Sequence, residues 1–493
     1  MNGRNLRARF SLLAIALSLA GCANYEGLLT SGKGVDAKQL QANQTLTGVT
    51  LTPAAWPASD WWKSLGDSQL DGLIGEALRD SPDMQVASAR THQATAAAYA
   101  ADADRMPTVD ASGSVSRSRL AKDQDPSGQG GTLSTVRSLS ASFNYNFDLW
   151  GGQRAAWEAA LGQARAAEVD QRAAQLTLAA DVARAYSNLA HAYAVRDLAE
   201  EDRSRTQQML KLGNQRLKSG IDSQYQYQQT ESLAATSEEQ FIDAEKGLRS
   251  AQIALSVLLG KGPDRSNQMV RPNVLQPAVV ALPSTLPAEL LGRRPDLVAA
   301  RWRVEAASKS IAASKTRFYP NLNLSAAAGT ESLLGDALFG SASRFFNVAP
   351  TISLPLFDGG RLRADLDARD ADYDLAVAQY NKSLIQALGD VSDDINQLRA
   401  LEGQIKATQH ATDVIKQSYD TVSQRYGSGI GNYLDVLTIE QTLLQSQRQL
   451  ADLNAERINL SILLMQALGG GFEGNGPAQD QAPNVPSTAS LTH

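Results

Sequence analysis

One thiol, four imidazoles and a run of carboxylates are the side chains with which this chain could do chemistry. Cys22 is the only cysteine in 493 residues, so no disulfide can form within one chain. His92, His191, His410 and His493 stand far apart and give none of the Cys/His spacings of a zinc site. Asp390, Asp393 and Asp394 supply carboxylates, but neighbours on a helix point apart, so Asp393 and Asp394 do not form an acid–base pair. They read as a wet helix face rather than a site of chemistry. No Gly-x-x-x-x-Gly-Lys-Ser/Thr segment is present to cradle a nucleotide's phosphates. These residues specify no enzyme, and they call for no cofactor and no metal. Lys and Arg total 46 against 52 Asp and Glu, a net charge of −6 that excludes a basic nucleic-acid binder. Aromatics are only 6% of the chain, a composition suited to long helices packed side by side rather than to one large globular core.

What remains is the single thiol, and its neighbours specify its chemistry. Arg4, Arg7 and Arg9 precede the apolar run Phe10 to Ala20, which is too short to span a bilayer as a mature helix. Leu19-Ala20-Gly21-Cys22 follows at once and resembles the lipobox of bacterial lipoproteins. The resemblance implies that residues 1–21 are a cleaved signal peptide. It also implies a diacylglyceryl group on the Cys22 sulfur and a fatty acyl chain, such as palmitate, on the new amine. Two acyl chains already suffice for stable anchoring. Ala23, rather than the Asp of an inner-membrane retention signal, favours the outer membrane with the chain facing the periplasm. No other stretch reaches the roughly 18 apolar residues of a transmembrane helix. Any crossing of the membrane must therefore be made of strands.

The elements that position these groups occur twice. Ser81-Pro82-Asp83-Met84 corresponds to Arg294-Pro295-Asp296-Leu297, and Arg105-Met106-Pro107 corresponds, at the same spacing, to Arg317-Phe318-Tyr319-Pro320. Phe147-Asp148-Leu149-Trp150-Gly151-Gly152 returns as Leu356-Phe357-Asp358-Gly359-Gly360. Arg216-Leu217-Lys218-Ser219-Gly220-Ile221 returns as Arg425-Tyr426-Gly427-Ser428-Gly429-Ile430, and Leu259-Gly260 as Leu468-Gly469. The ordered set defines two homologous halves, 66–260 and 286–470, joined by a Pro-rich linker at 261–285. Residues 22–65 precede them. The tail, 471–493, reads as disordered from its Gly, Pro, Gln, Ser and Ala content.

Each half predicts a helix of about 40 residues that ends before a proline, at Arg105 or Arg317. Two alternating segments, a very long helix, a Ser-Gly turn and a further helix of about 40 residues follow. The long helices run from Gln153 to Lys218 and from Arg361 to Tyr426, each about 100 Å at 1.5 Å per residue. Leu384, Leu388, Val391, Ile395, Leu398 and Ile405 recur at helical spacing, a stripe for a partner helix. Leu176, Ala179, Ala183, Tyr186, Ala190 and Tyr193 do the same with smaller side chains, which lets helices approach closely.

The alternating segments separate apolar from small polar residues. Leu139, Ala141, Phe143, Tyr145 and Phe147 share one face, with Ser140, Ser142, Asn144 and Asn146 on the other. Phe346, Val348, Ile352, Leu354 and Leu356 oppose Asn347, Thr351 and Ser353. Leu322 and Leu324 oppose Asn323 and Ser325, and Val109 and Val115 oppose Asp110, Ser112, Ser114 and Ser116. Strands of about ten residues with this pattern fit a barrel wall with lipid on one side and water on the other. Trp150, Phe318, Tyr319 and Phe357 cluster at the strand–helix junctions, as membrane-interface aromatics do. Four strands cannot close a membrane barrel, whose smallest single-chain forms have about eight, so the chain must oligomerise. Two copies would give eight strands and three would give twelve, and strand arithmetic leaves both open.

The lipobox, the duplicated plan, the Pro-ended helices, the Gly-Gly helix starts and the paired Ser-Gly turns together resemble the TolC/OprM outer-membrane efflux factors, in their lipidated, NodT-like branch. The resemblance implies an α+β membrane protein: a homotrimer whose twelve-stranded β-barrel, four strands per chain, continues into a long α-helical periplasmic tunnel. A mixed equatorial domain would be built from 22–65, 261–285 and the start of the tail. It implies a passive exit duct for drugs or other small molecules, embedded among outer-membrane lipids. Its partners would be a periplasmic adaptor (membrane fusion) protein and an inner-membrane pump of RND, major-facilitator or ABC type. The same architecture would serve a type I protein-secretion duct, against which the lipobox weighs. A lipid-anchored coiled-coil spacer would need no alternating strands. By position, Gly220 and Gly429 fall at the family's adaptor-contacting tip turns. Tyr426 matches a gate tyrosine, with Arg425 beside it as a cation for pairing across the protomer interface, and Asp435 matches an aperture aspartate. Thr438 stands where the family has a second aspartate.

Overall fold

A computed structural model describes residues 27–35, 56–119, 133–273, 292–333 and 336–473, with single positions at 25, 121, 131, 275, 277 and 290, except that 26 and 132 are not included. Residues 1–24, 36–55 and 474–493, and with them Cys22 and most of the tail, lie outside the described residues. The first half holds α1 (Ser68–Asp80), α2 (Pro82–Ala103), β1 (Thr108–Arg119), β2 (Leu133–Phe147), α3 (Gly152–Lys218) and α4 (Gln224–Leu258). The second holds α5 (Pro295–Thr316), β3 (Asn321–Leu333), β4 (Arg344–Ser353), α6 (Arg361–Gly427) and α7 (Tyr433–Ala467). The lengths recur in order: α2 and α5 have 22 residues each, α3 and α6 have 67, and α4 and α7 have 35. Among the described residues no helix is long and apolar enough to cross a membrane.

The single helix of about 40 residues expected before Arg105 is instead two helices, broken at Ser81-Pro82. Pro82 has no N–H to donate, and Ser81 before it is extended, with ψ 134°. Leu70, Leu73, Ile74 and Ala77 of α1 share one buried cluster with residues of α3, α4 and α7.

The chain divides into two compact units. One comprises residues up to 34, 91–167 and 300–380; the other comprises 35–90, 168–299 and 381–493. In the first unit the four strands form one antiparallel sheet in the order β1-β2-β3-β4. Small residues bring its helices close: a Cβ on Gly162 of α3 would lie 3.0 Å from the Ala306 Cβ of α5. The described part of the N-terminal segment crosses α6 in this unit. The Ser31 and Gly32 N–H groups and the Ser31 hydroxyl all donate to the Asp374 carboxylate, at 2.6–3.1 Å.

The second unit has the larger core. Trp61, Leu65, Leu70, Leu73 and Ile74 pack with Leu178, Val182, Tyr186 and Leu189 of α3, Leu255 of α4, and Ile462 and Met465 of α7. The buried side of α3 is thus wider than the small-residue stripe alone. At its centre Asp67, the N-cap of α1, accepts from the Tyr186 hydroxyl at 2.7 Å, the Asn273 N–H at 2.9 Å and the Gln69 N–H at 2.9 Å.

Beyond α7 the chain turns through Gly469, whose φ is +91° and where a Cβ would lie 2.0 Å from the Arg293 carbonyl oxygen. Gly469→Ala is expected to cost at least about 2 kcal/mol from backbone strain alone, with the clash in addition. Gly262→Ala, at φ −68° with open space around it, should leave stability unchanged. Thermal unfolding of both variants in detergent checks the pair.

Candidate functional site

The sheet register aligns the two faces read from each strand. Val109, Phe143, Ala326 and Val348 stand in one row across the four strands, and Ala111, Ala141, Ala328 and Phe346 in the next. Tyr145, Leu324 and Pro350, then Phe147, Leu322 and Ile352, continue the apolar face. The alternate rows are Asp110, Ser142, Ala327 and Asn347, then Asn144, Ser325 and Ala349, then Asn146, Asn323 and Thr351. Hydroxyl pairs tie β1 to β2 on this side, Ser112 to Ser140 at 3.0 Å and Ser114 to Ser138 at 2.8 Å. The apolar side is open in the single chain: Val109, Val115, Phe346, Val348 and Ile352 are all well exposed. A bare apolar sheet face of this extent is unfavourable in water and suited to lipid.

Where the sheet meets the helices, Trp150 stacks on Tyr319 with ring centroids 4.9 Å apart, and its indole N–H donates to the Pro320 carbonyl at 2.8 Å. Trp150, Tyr319 and Phe357 are exposed, Phe357 at 92%. Phe318 departs from the expectation of an interfacial ring. It is only 5% exposed and packs on Ile311, Leu362 and Leu366, because the turn out of α5 directs it back between α5 and α6.

At the other ends of the long helices, Gly220 and Gly429 take positive φ, 71° and 79°, the conformation that makes glycine the fitting residue in each turn. The structure brings the two turns together within one protomer. The Arg216 guanidinium lies 5.1 Å from the Tyr426 ring centroid and pairs with Asp222 through two bonds of 2.9 and 3.1 Å. Tyr426 leans on Tyr433, whose hydroxyl meets that of Thr230 at 2.9 Å. Burial raises the Tyr426 hydroxyl above its ordinary pKa against the pull of Arg216, so it stays protonated as a donor. Arg425 and Asp435 are exposed, and among the described residues neither joins this cluster. Sequence reading named Tyr426 but gave no role to Arg216, Asp222, Thr230 or Tyr433. Arg216 precedes Gly220 as Arg425 precedes Gly429, and that equivalence was the available signal.

The acidic run on α6 sits beside Arg294, which reaches Asp296 at 2.8 Å and Asp390 at 3.6 Å. Burial, with Asp390 and Asp393 adjacent, pushes Asp394 up to about 6. Among the described residues no group of His, Cys, Asp and Glu has the arrangement to hold a metal ion.

Relatives carry the same plan. The chain is 35% identical over 367 residues to the fusaric acid resistance protein FusA of Burkholderia cepacia, covering 73% of this chain and 69% of that one. It is 29% identical over 474 residues to the multidrug resistance outer membrane protein MdtP of Escherichia coli K12, covering 94% and 96%. The crystal structure of the outer membrane protein VceC from Vibrio cholerae superposes with a TM-score of 0.79 at 34% identity, over 85% of this chain and all of that one. The outer membrane efflux protein family matches residues 73–261 and 286–470. With its sheet, its paired long helices and its relatives in agreement, the chain belongs to the outer membrane efflux protein family.

Proposed function

We propose that three copies of this chain form the passive outer-membrane exit duct of a tripartite efflux system. The carrying observation is the register, which puts apolar residues on one face of a four-stranded sheet and small polar residues on the other. The sheet ends in β1 and β4, and an edge left open in lipid would cost several kcal/mol per unpaired backbone group. Pairing β1 of one copy with β4 of the next removes every edge, and three copies give a twelve-stranded barrel. The helices continue the wall into the periplasm as a tunnel, with residues 22–65 and 261–285 contributing an equatorial collar. Residues 1–21 are removed and Cys22 carries the lipid that fixes the N-terminus to the outer membrane. The turns at Gly220 and Gly429 form the periplasmic tip, which meets an adaptor protein, and an inner-membrane pump supplies the energy. Trp150, Tyr319 and Phe357 ring the barrel at the membrane interface. The names of FusA and MdtP favour small molecules as cargo over a secreted protein.

Native mass spectrometry of the full lipoprotein in detergent is expected to give three copies, and planar bilayers should register discrete channels. A stable monomer that conducts would overturn the reading.

A further inference from the structure

About three to five turns along the helices from the two Gly turns, a charged cluster is buried in the second unit. Glu440 on α7 is 2% exposed and Asp202 on α3 is 6% exposed. Between them Arg205 of α3 pairs through its Nε with Glu440 and through a terminal nitrogen with Asp202 at 3.3 Å. The other groups facing it are Glu201, 3.9 Å from Arg205 on α3, and the Tyr419 ring of α6, 5.7 Å from the guanidinium. Tyr433 lies two turns before Glu440 on α7, and it too feels the Glu440 charge. Glu440 interrupts an otherwise apolar or aromatic row, Tyr433, Val436 and Leu443, that faces the neighbouring helices.

Charge counting sets the problem. Two buried carboxylates share one guanidinium, so the cluster carries an excess negative charge if both are ionised. Among the described residues Arg205 is the one cation against Glu440 and meets only one of its oxygens, while the other has no hydrogen-bond donor, so loss of hydration is poorly offset. A carboxyl in that position holds a proton more readily than one in water. Burial accordingly pushes Glu440 up to about 7, with Asp202 acting in the same direction and Arg205 opposing.

We propose that Glu440 is a proton-binding latch residue, keeping its proton while α3 and α7 are packed as seen here and releasing it to water when they part. The latch rests on the proposed duct having its gate at the Gly220 and Gly429 turns, beside Arg216 and Tyr426, and opening as these helices separate there. The direction follows from linkage. The packed arrangement has the higher affinity for the proton, so acid favours it, and rising pH favours separation. The window runs from the ordinary glutamate value of 4.5 up to about 7.

The test uses the purified full-length protein in planar bilayers between pH 4.5 and 8. The ratio of open to closed time is expected to rise with pH, by at most about tenfold per unit for one proton. Glu440→Gln, a shape-matched neutral side chain, should hold the ratio at its low, acid level throughout. Asp202→Asn, leaving one carboxylate per guanidinium, should move the wild-type transition to lower pH. A wild-type slope that survives in Glu440→Gln overturns the latch. Thermal unfolding separates this from a failure of the gate reading: the stability of Glu440→Gln relative to wild type should increase from pH 4.5 to pH 8. No such increase means that Glu440 holds no proton in the packed state, and overturns the proposal. If it does increase while neither pH nor loss of Arg216 and Tyr426 alters conductance, the gate reading fails, and the latch with it.

Discussion

Replacing Arg216 and Tyr426 together by alanine is expected to open the channel. The two side chains join the two turns of one protomer, and no other described contact holds Tyr426 from the α3 side. A partly exposed cation–π contact and the packing around it are worth about 2 kcal/mol, which is roughly a thirtyfold change in a two-state ratio. Mean conductance in bilayers should rise severalfold, and cells should become sensitive to large antibiotics such as vancomycin. Tyr426→Phe keeps the ring over Arg216 and should change conductance little. Arg425→Ala should also be nearly silent within the protomer, because that side chain is exposed and stands outside the cluster. A double variant that is trimeric yet conducts like wild type would place the gate elsewhere.

The second large effect is on stability. Asp67→Ala removes a 4% exposed carboxylate that accepts three hydrogen bonds, and with it the N-cap of α1. The part-buried Asn273 and Gln69 N–H groups lose their acceptor, and Tyr186, fully buried, keeps only its bond from Gln69. The expected loss is about 3–4 kcal/mol, read as a lower melting temperature. Burial tends to raise the Asp67 carboxyl, but the bonds from Tyr186, Asn273 and Gln69 outweigh it and hold the group below its ordinary value. A lowered folded value means the contribution is complete above the unfolded value of about 3.9, and fades as pH falls through the folded one. Wild type should therefore lose stability below pH 4 more steeply than Asp67→Ala. Equal acid sensitivity in the two proteins would contradict the assignment.

Much of this fold is legible in the residues because its parts write simple periods. The alternation from Leu139 to Phe147 lies within β2, and the long helices expected at Gln153 to Lys218 and Arg361 to Tyr426 begin and end within one residue of α3 and α6. The family resemblance rests on the same features and holds. Proline at 82 marks the repeat, yet the residues predict a continuous helix across it, since helical composition on both sides hides Ser81, whose hydroxyl accepts from the Asp83 N–H and starts α2 separately. Phe318 and Tyr319 are adjacent, and only the turn between helix and strand decides which ring is buried. The Arg216–Tyr426 and Arg205–Glu440 contacts join residues more than 200 positions apart, and no local pattern pairs them. Glu440 alone left a mark, as a charge in a buried row.

The pairing of β2 with β3 also has a consequence in time. Phe147 sits opposite Leu322 and Val136 opposite Leu333, so the middle of the sheet joins residues separated by all of α3, α4 and α5. A chain emerging N-terminus first completes the β1–β2 hairpin early and must then wait for β3. Closing so long a loop is slow compared with forming helices, so the hairpin spends that interval with its apolar face and both strand edges unprotected in the periplasm. Such an edge is a template for pairing with other chains. Depletion of periplasmic factors that cover strand edges is therefore expected to leave aggregates nucleated by the β1–β2 hairpin.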